Sequence, residues 1–130
     1  QTNKVKIALK VFDFIHSLDN LKLAKKISDE QKKHSKKPKI FIQINIGNED
    51  QKSGVRKEDL KDFYNQCQDL DLNIIGTMCL PPINLNPGNF FSEMKANGIQ
   101  LKLRQVLKNL KSNLIVKRNS LRNIIGDMQR

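Results

Sequence analysis

The side chains best suited to hold or react with a small molecule lie in or just after three short apolar runs. His16 closes the run Phe14-Ile15-His16-Ser17, Gln43 and Asn45 lie inside Ile40 to Ile46, Lys52 follows in the polar loop, and Met78 ends Leu72 to Met78. An imidazole such as His16 can wall a pocket or hydrogen-bond a ligand, and it serves equally as a structural histidine. Asn45 ends one face of its run, where a buried amide needs a partner: a ligand, its own loop, or an interior polar group. Gln43, one layer deeper, reads as part of a polar interior. Lys52 is a flexible point charge that can approach a phosphate or carboxylate, or else a solvated lysine. Gly54 permits a backbone turn. Met78 can pack against a ring or fill an interior.

These residues need elements to carry them. In Lys39 to Val55 (KIFIQINIGNEDQKSGV), Ile40, Ile42, Ile44 and Ile46 take one side of a strand and Phe41, Gln43 and Asn45 the other, because strand side chains alternate. One wholly aliphatic face and one face turning polar at its carboxyl end suit an α/β layer structure with helices on the aliphatic side. Before it, Asn3 to Phe12 reads as a helix with Val5, Ala8, Leu9 and Phe12 on one face, followed by Phe14 to Ser17 as a buried strand. Asp19-Asn20 offers a helix cap, and Leu21 to His34 is a helix stopped by Pro38. Leu60, Phe63, Tyr64 and Cys67 mark a third helix, Leu72 to Met78 a third strand, and Asn84 to Gly88 a loop. Strand and helix thus alternate about every 25 to 35 residues, the rhythm of βαβ units with a parallel sheet. That rhythm fits a doubly wound sheet or part of a (β/α)8 TIM barrel. No GxGxxG or P-loop follows any strand. Beyond Asn89 helical faces recur, with Leu114 to Val116 as a short strand.

The 130 residues are enough for one domain with a core. No run of 18 apolar residues is present, which argues against a membrane span. Two cysteines, Cys67 and Cys79, make neither a disulfide framework nor a metal site, so a cytoplasmic location is expected. The net charge is +11, but residues 93–130 hold nine of the 24 basic and only two of the 13 acidic side chains. Most of the excess therefore lies in the last 38 residues. One Tyr and no Trp leave little for base stacking, which argues against a nucleic-acid partner.

Four motifs in order resemble the pyridoxal phosphate homeostasis protein family, whose single (β/α)8 barrel is similar to the alanine racemase N-terminal domain. They are Gln1-Thr2-Asn3-Lys4, His16-Ser17-Leu18-Asp19, Gln43-Ile44-Asn45 with Lys52-Ser53-Gly54, and Gly76-Thr77-Met78 with Pro81. The resemblance covers residues 1–91 and implies the central part of a pyridoxal 5'-phosphate (PLP) binding TIM barrel, incomplete at both ends. It implies PLP as cofactor, a carrier or buffer of PLP rather than an enzyme, and Asn45, His16, Lys52 and Met78 near the cofactor at the barrel mouth. No residue is assigned a catalytic or metal-binding role. The family's Schiff-base lysine lies upstream of Gln1, so the resemblance implies no unique trappable lysine adduct here. Its Ser-Met-Gly-Met-Ser and Arg-x-Gly phosphate-binding segments do not occur between Asn89 and Arg130. Residues 92–130 are therefore expected to be a basic, mainly helical tail that departs from the family pattern, as a shifted reading frame would produce. Two other readings stay open: a racemase-like PLP enzyme barrel with its catalytic residues elsewhere, and a nucleic-acid-binding module built on the basic tail.

Overall fold

The computed structural model describes residues 2–96 and 98. They belong to the first of two units into which the chain divides, Gln1–Gly98 and Ile99–Arg130. The strand and helical faces read beyond Ile99 lie outside the described residues. A 3-10 turn at Thr2–Lys4 leads into α1 (Val5–Val11), followed by β1 (Phe14–Leu18), α2 (Leu21–His34) and β2 (Lys39–Asn45). After a loop come the two-residue β3 (Val55–Arg56), a second 3-10 turn, α3 (Leu60–Asp69) and β4 (Asn73–Cys79). Residues 87–96 are helical again, which shortens the expected loop after β4.

All strand pairings are parallel, and β2 is central, with β1 on one edge and β4 on the other. β4 holds its edge of β2 as far as Ile44, so Val55 and Arg56 pair with Ile44 and Asn45 on the edge that β1 leaves free. The order β1-β2-β4 advances without reversal. Right-handed crossovers in one direction put α2 and α3 on the same face of the sheet. This is the winding of a barrel; a doubly wound sheet would reverse direction and put helices on both faces.

Local chemistry sets the element boundaries. The Asn20 side-chain oxygen accepts from the Leu23 amide at 2.8 Å, capping the start of α2. Ser35, left-handed at φ 49°, closes its end, with Lys32, Lys33 and His34 facing the negative end of the helix dipole. The expected β2 face is present: Ile40, Ile42, Ile44 and Ile46 are 0–3% exposed, packed in one core with Leu9, Leu18, Ile27, Phe63 and Cys67. Each such fully buried aliphatic side chain contributes roughly 1.5–3 kcal/mol. α2 and α3 are also tied by polar bonds, from Ser28 Oγ to the Leu70 carbonyl at 2.9 Å and from Gln31 Nε2 to the Asp71 carbonyl at 3.0 Å. Lys57 reaches Glu93 at 2.8 Å and Met94 is buried, which seats the helix at 87–96 on this unit.

Two expectations near the start of the chain are corrected. α1 ends at Val11, and Phe12 is extended backbone with its ring 58% exposed rather than on the buried face. β1 is not a buried strand: Phe14 is 48% exposed, His16 and Ser17 are exposed, and only Leu18 is fully buried. The reason is its position at the sheet edge, where β2 covers one side and no described strand covers the other. An apolar, β-branched run looks the same at an edge as in the centre.

Candidate carboxyl-end site

The three long strands are parallel, so their carboxyl ends lie together, with the loops that follow them. Register places Gly76 beside Phe41 and Met78 beside Gln43, on the face opposite the buried isoleucines. A Cβ on Gly76 would lie 2.9 Å from the Phe41 ring, so the missing side chain makes room for the aromatic. His16, on β1 at the other flank of β2, lies against the same ring on the same face, with centroids 4.7 Å apart and planes tilted by 40°. Phe41, His16 and the half-exposed Met78 therefore form an aromatic and thioether floor on the uncovered face. His16 makes no hydrogen bond among the described residues.

Asn45, at the end of β2, holds its own loop. Its amide nitrogen donates to the Glu49 carbonyl at 2.7 Å and the Lys52 carbonyl at 3.2 Å, and its oxygen accepts from the Glu49 amide at 3.1 Å. Those three bonds account for a 93% buried amide and satisfy the requirement that such a group be paired. Gln43 adds a fourth tie, from Nε2 to the Ser53 carbonyl at 3.3 Å. Gly54 closes the loop at φ 129°, and a Cβ there would lie 2.5 Å from the Asn45 nitrogen and 2.7 Å from the Ile44 carbonyl carbon. Only glycine can pass so close to the β2 backbone.

The loop so held presents Lys52. Its ammonium lies 2.9 Å from Glu49 Oε1, with both side chains about one-third exposed or less. Lys52 lines a crevice of about 260 Å³ with Gln43, Ser53 and Leu80. A second crevice of about 420 Å³ shares Gln43 and Ser53 and is lined by Ser17, Asp19 and Lys22 at the start of α2. Of the four residues singled out from sequence, the structure brings Asn45 and Lys52 into one loop. It places His16 and Met78 on strands flanking β2, on its uncovered side. Sequence reasoning weighed no role for Glu49, and it quoted Ser17 and Ser53 only as members of motifs. The Asn45, Glu49, Lys52 spacing was the available signal, because Asn readily bonds backbone groups a few residues away.

No group of three or more His, Cys, Asp or Glu among the described residues could hold a metal ion. No described helix is long and apolar enough to cross a membrane.

A singly wound parallel sheet with helices on one face and crevices at its strand ends defines a (β/α)-barrel-type domain. The chain belongs to the alanine racemase N-terminal domain family, whose profile matches residues 1–123. That match continues past Phe91, through residues that lie mostly outside the described ones. The chain is 41% identical over 83 residues to the pyridoxal phosphate homeostasis protein of Pasteurella multocida, covering 62% of this chain and 35% of that protein. It is 36% identical over 88 residues to the protein of the same name from Aquifex aeolicus, covering 67% of this chain and 39% of that one. The chain thus spans well under half the length of these curated relatives. Among solved structures it resembles PipY of Synechococcus elongatus with PLP bound, at a TM-score of 0.70 and 25% identity, over 80% of this chain and 50% of that one.

Proposed function

We propose that this chain serves in the binding and homeostasis of pyridoxal 5'-phosphate, as part of a carrier rather than an enzyme with turnover. The observation that carries the reading is the Lys52 amine held at a crevice on the strand ends, in a chain similar to relatives named for PLP homeostasis. The residues present fit two of the three parts of PLP. The Lys52 ammonium suits its phosphate, and the Phe41, His16 and Met78 floor suits its ring. When bound, PLP supplies an aldehyde that amines hold reversibly.

In this reading Lys52 is the point charge offered to the ligand's phosphate, and its ion pair with Glu49 at 2.9 Å fixes its direction until a ligand displaces it. Asn45 is a positioning residue, since its amide is fully engaged with the loop that carries Lys52. His16 and Met78 bound the space on either side of β2.

The test is titration of the full chain with PLP, followed by borohydride reduction and peptide mapping. Weak reversible binding is expected, with no lysine labelled stoichiometrically at a unique site and with affinity reduced about tenfold by Lys52→Met. One stoichiometrically labelled lysine would overturn the account of these residues as holding PLP without a covalent bond. An unchanged PLP spectrum at saturating protein would end the PLP reading.

A further inference from the structure

Among the described residues, Lys52 is the one charged side chain in the lining of the crevice of about 260 Å³. Its charge is already answered from within its own loop. Glu49 Oε1 is buried, faces the ammonium at 2.9 Å and accepts no hydrogen bond among the described residues. The contact is therefore one of charge rather than an aligned hydrogen bond. Asp50, the next residue, turns instead to Arg56 at 3.2 Å.

The loop does not need this pair to keep its shape. The Asn45 side chain engages both the amide and the carbonyl of Glu49, and the Lys52 amide donates to the same carbonyl at 3.0 Å. A pair this exposed contributes little to stability, while taking a carboxylate oxygen out of water has a cost. The carboxylate nonetheless has a place made for it. A Cβ on Gly47 would lie 3.0 Å from Glu49 Oε1 and 3.0 Å from Pro82 Cγ, so glycine leaves room for the carboxylate beside the loop after β4. What the carboxylate does in that place is cancel the charge that Lys52 would offer an incoming anion.

We propose that Glu49 is an internal competitor for the ligand's phosphate, which sets the affinity of the crevice low and lets a phosphorylated ligand exchange readily. This rests on the reading of Lys52 as the point charge for that phosphate and names what regulates it. A phosphate dianion brings more charge to the ammonium than a carboxylate does, and so displaces it. The displaced carboxylate stays close by and repels the ligand, which shortens its stay. A ligand without a phosphate gains nothing from Lys52 and is indifferent to Glu49. Loss of the carboxylate therefore tightens phosphate binding, although the released lysine has more rotamers to give up, which offsets part of the gain.

The full chain, Glu49→Gln and Glu49→Ala are titrated at low ionic strength with PLP, with pyridoxal, which lacks the phosphate, and with inorganic phosphate. Thermal melts establish that the variants are folded. Both variants should bind PLP about tenfold more tightly than the parent and release it more slowly, with inorganic phosphate also tighter and pyridoxal unchanged. Added salt should weaken PLP binding more steeply in the variants, whose lysine is no longer neutralised. Suppose that the parent binds PLP and Lys52→Met weakens it, yet neither Glu49 variant tightens it: the competitor is then overturned and the PLP reading stands. Equal tightening of pyridoxal would overturn the competitor too, since the effect would lie away from the phosphate. If the parent binds no PLP, the PLP reading fails and inorganic phosphate decides on Glu49 by itself. Tighter phosphate binding in the variants then supports the competitor, and its absence overturns it.

Discussion

The residues that shape the carboxyl-end loop act through space they leave empty as much as through bonds they make. Gly54 passes within van der Waals reach of the β2 backbone at a φ that side chains rarely adopt. Gly54→Ala should lower stability by roughly 2 kcal/mol or more, read as a lower urea midpoint at constant slope. It should also disturb the amide resonances of residues 45 to 54 first. An unchanged midpoint would mean the loop relaxes without strain. The two cysteines differ in the same spatial sense. Burial pushes the Cys67 thiol up to about 12, and it is 0% exposed; Cys79 is raised less and is half-exposed. Iodoacetamide at neutral pH should therefore modify Cys79 slowly and Cys67 only after unfolding. Rapid labelling of Cys67 in the native protein would contradict the packing of α3 described above. The positions of both cysteines were plain in the sequence, and burial of Cys67 followed from the helical spacing of Leu60, Phe63 and Tyr64. The double use of Asn45 was not, because a strand-end amide looks the same whether it meets a ligand or its own loop.

At the scale of elements, α2 is stabilised on two sides by different chemistry. Its core side carries Leu23, Ala24 and Ile27, with Ser28 and Gln31 bonded to the end of α3. Along its length Glu30 gathers Lys26 Nζ at 3.0 Å, His34 Nε2 at 3.2 Å and Lys33 Nζ at 3.6 Å. The hydrogen bond from Lys26 chiefly, with the charge of Lys33 and the contribution of His34, outweighs burial and holds the Glu30 carboxyl below its ordinary 4.5. The lowered value in the folded protein means this contribution is present above the ordinary carboxylate value and is lost as pH falls through the folded one. Stability should thus decline on acidification from pH 5 to pH 3, followed by urea midpoints, and Glu30→Gln should flatten part of that decline. Identical profiles for parent and variant would remove Glu30 from the account. Element identities along α2, β2 and α3 were legible because caps, Pro38 and strict apolar spacing agree at those places. α1 was read one residue too far at its end, since Phe12 fits the helical spacing and the chain nonetheless turns extended there, and its start was read into the 3-10 turn that holds Asn3 and Lys4.

At the scale of the whole described unit, the sheet is open. The outer edges of β1 and β4 pair with no described strand, and Ile7, Val11, Phe12 and Phe14 are 48–67% exposed around the β1 edge. Open parallel edges beside apolar side chains favour association. The full chain should show concentration-dependent light scattering, and the double variant Ile7→Lys/Val11→Lys should stay monodisperse at concentrations where the parent associates. Cooperative, reversible unfolding of a monomer at high concentration would show that the edge is protected.

The sequence by itself determined the βα rhythm, the aliphatic face of β2, and a set of motifs specific enough to indicate the family. Those properties are local: they depend on periodicity, capping and turn chemistry within a few residues. The tertiary structure alone decided that the strands wind in one direction, that β1 lies at an edge with His16 against Phe41, and that Asn45 is spent on the loop that holds Lys52. It also brought Ser17, Lys22 and Gln43, from three different elements, around one crevice. Such outcomes depend on which strand pairs with which and on how side chains distant in sequence divide the available space. Spacing along the chain carries no record of either.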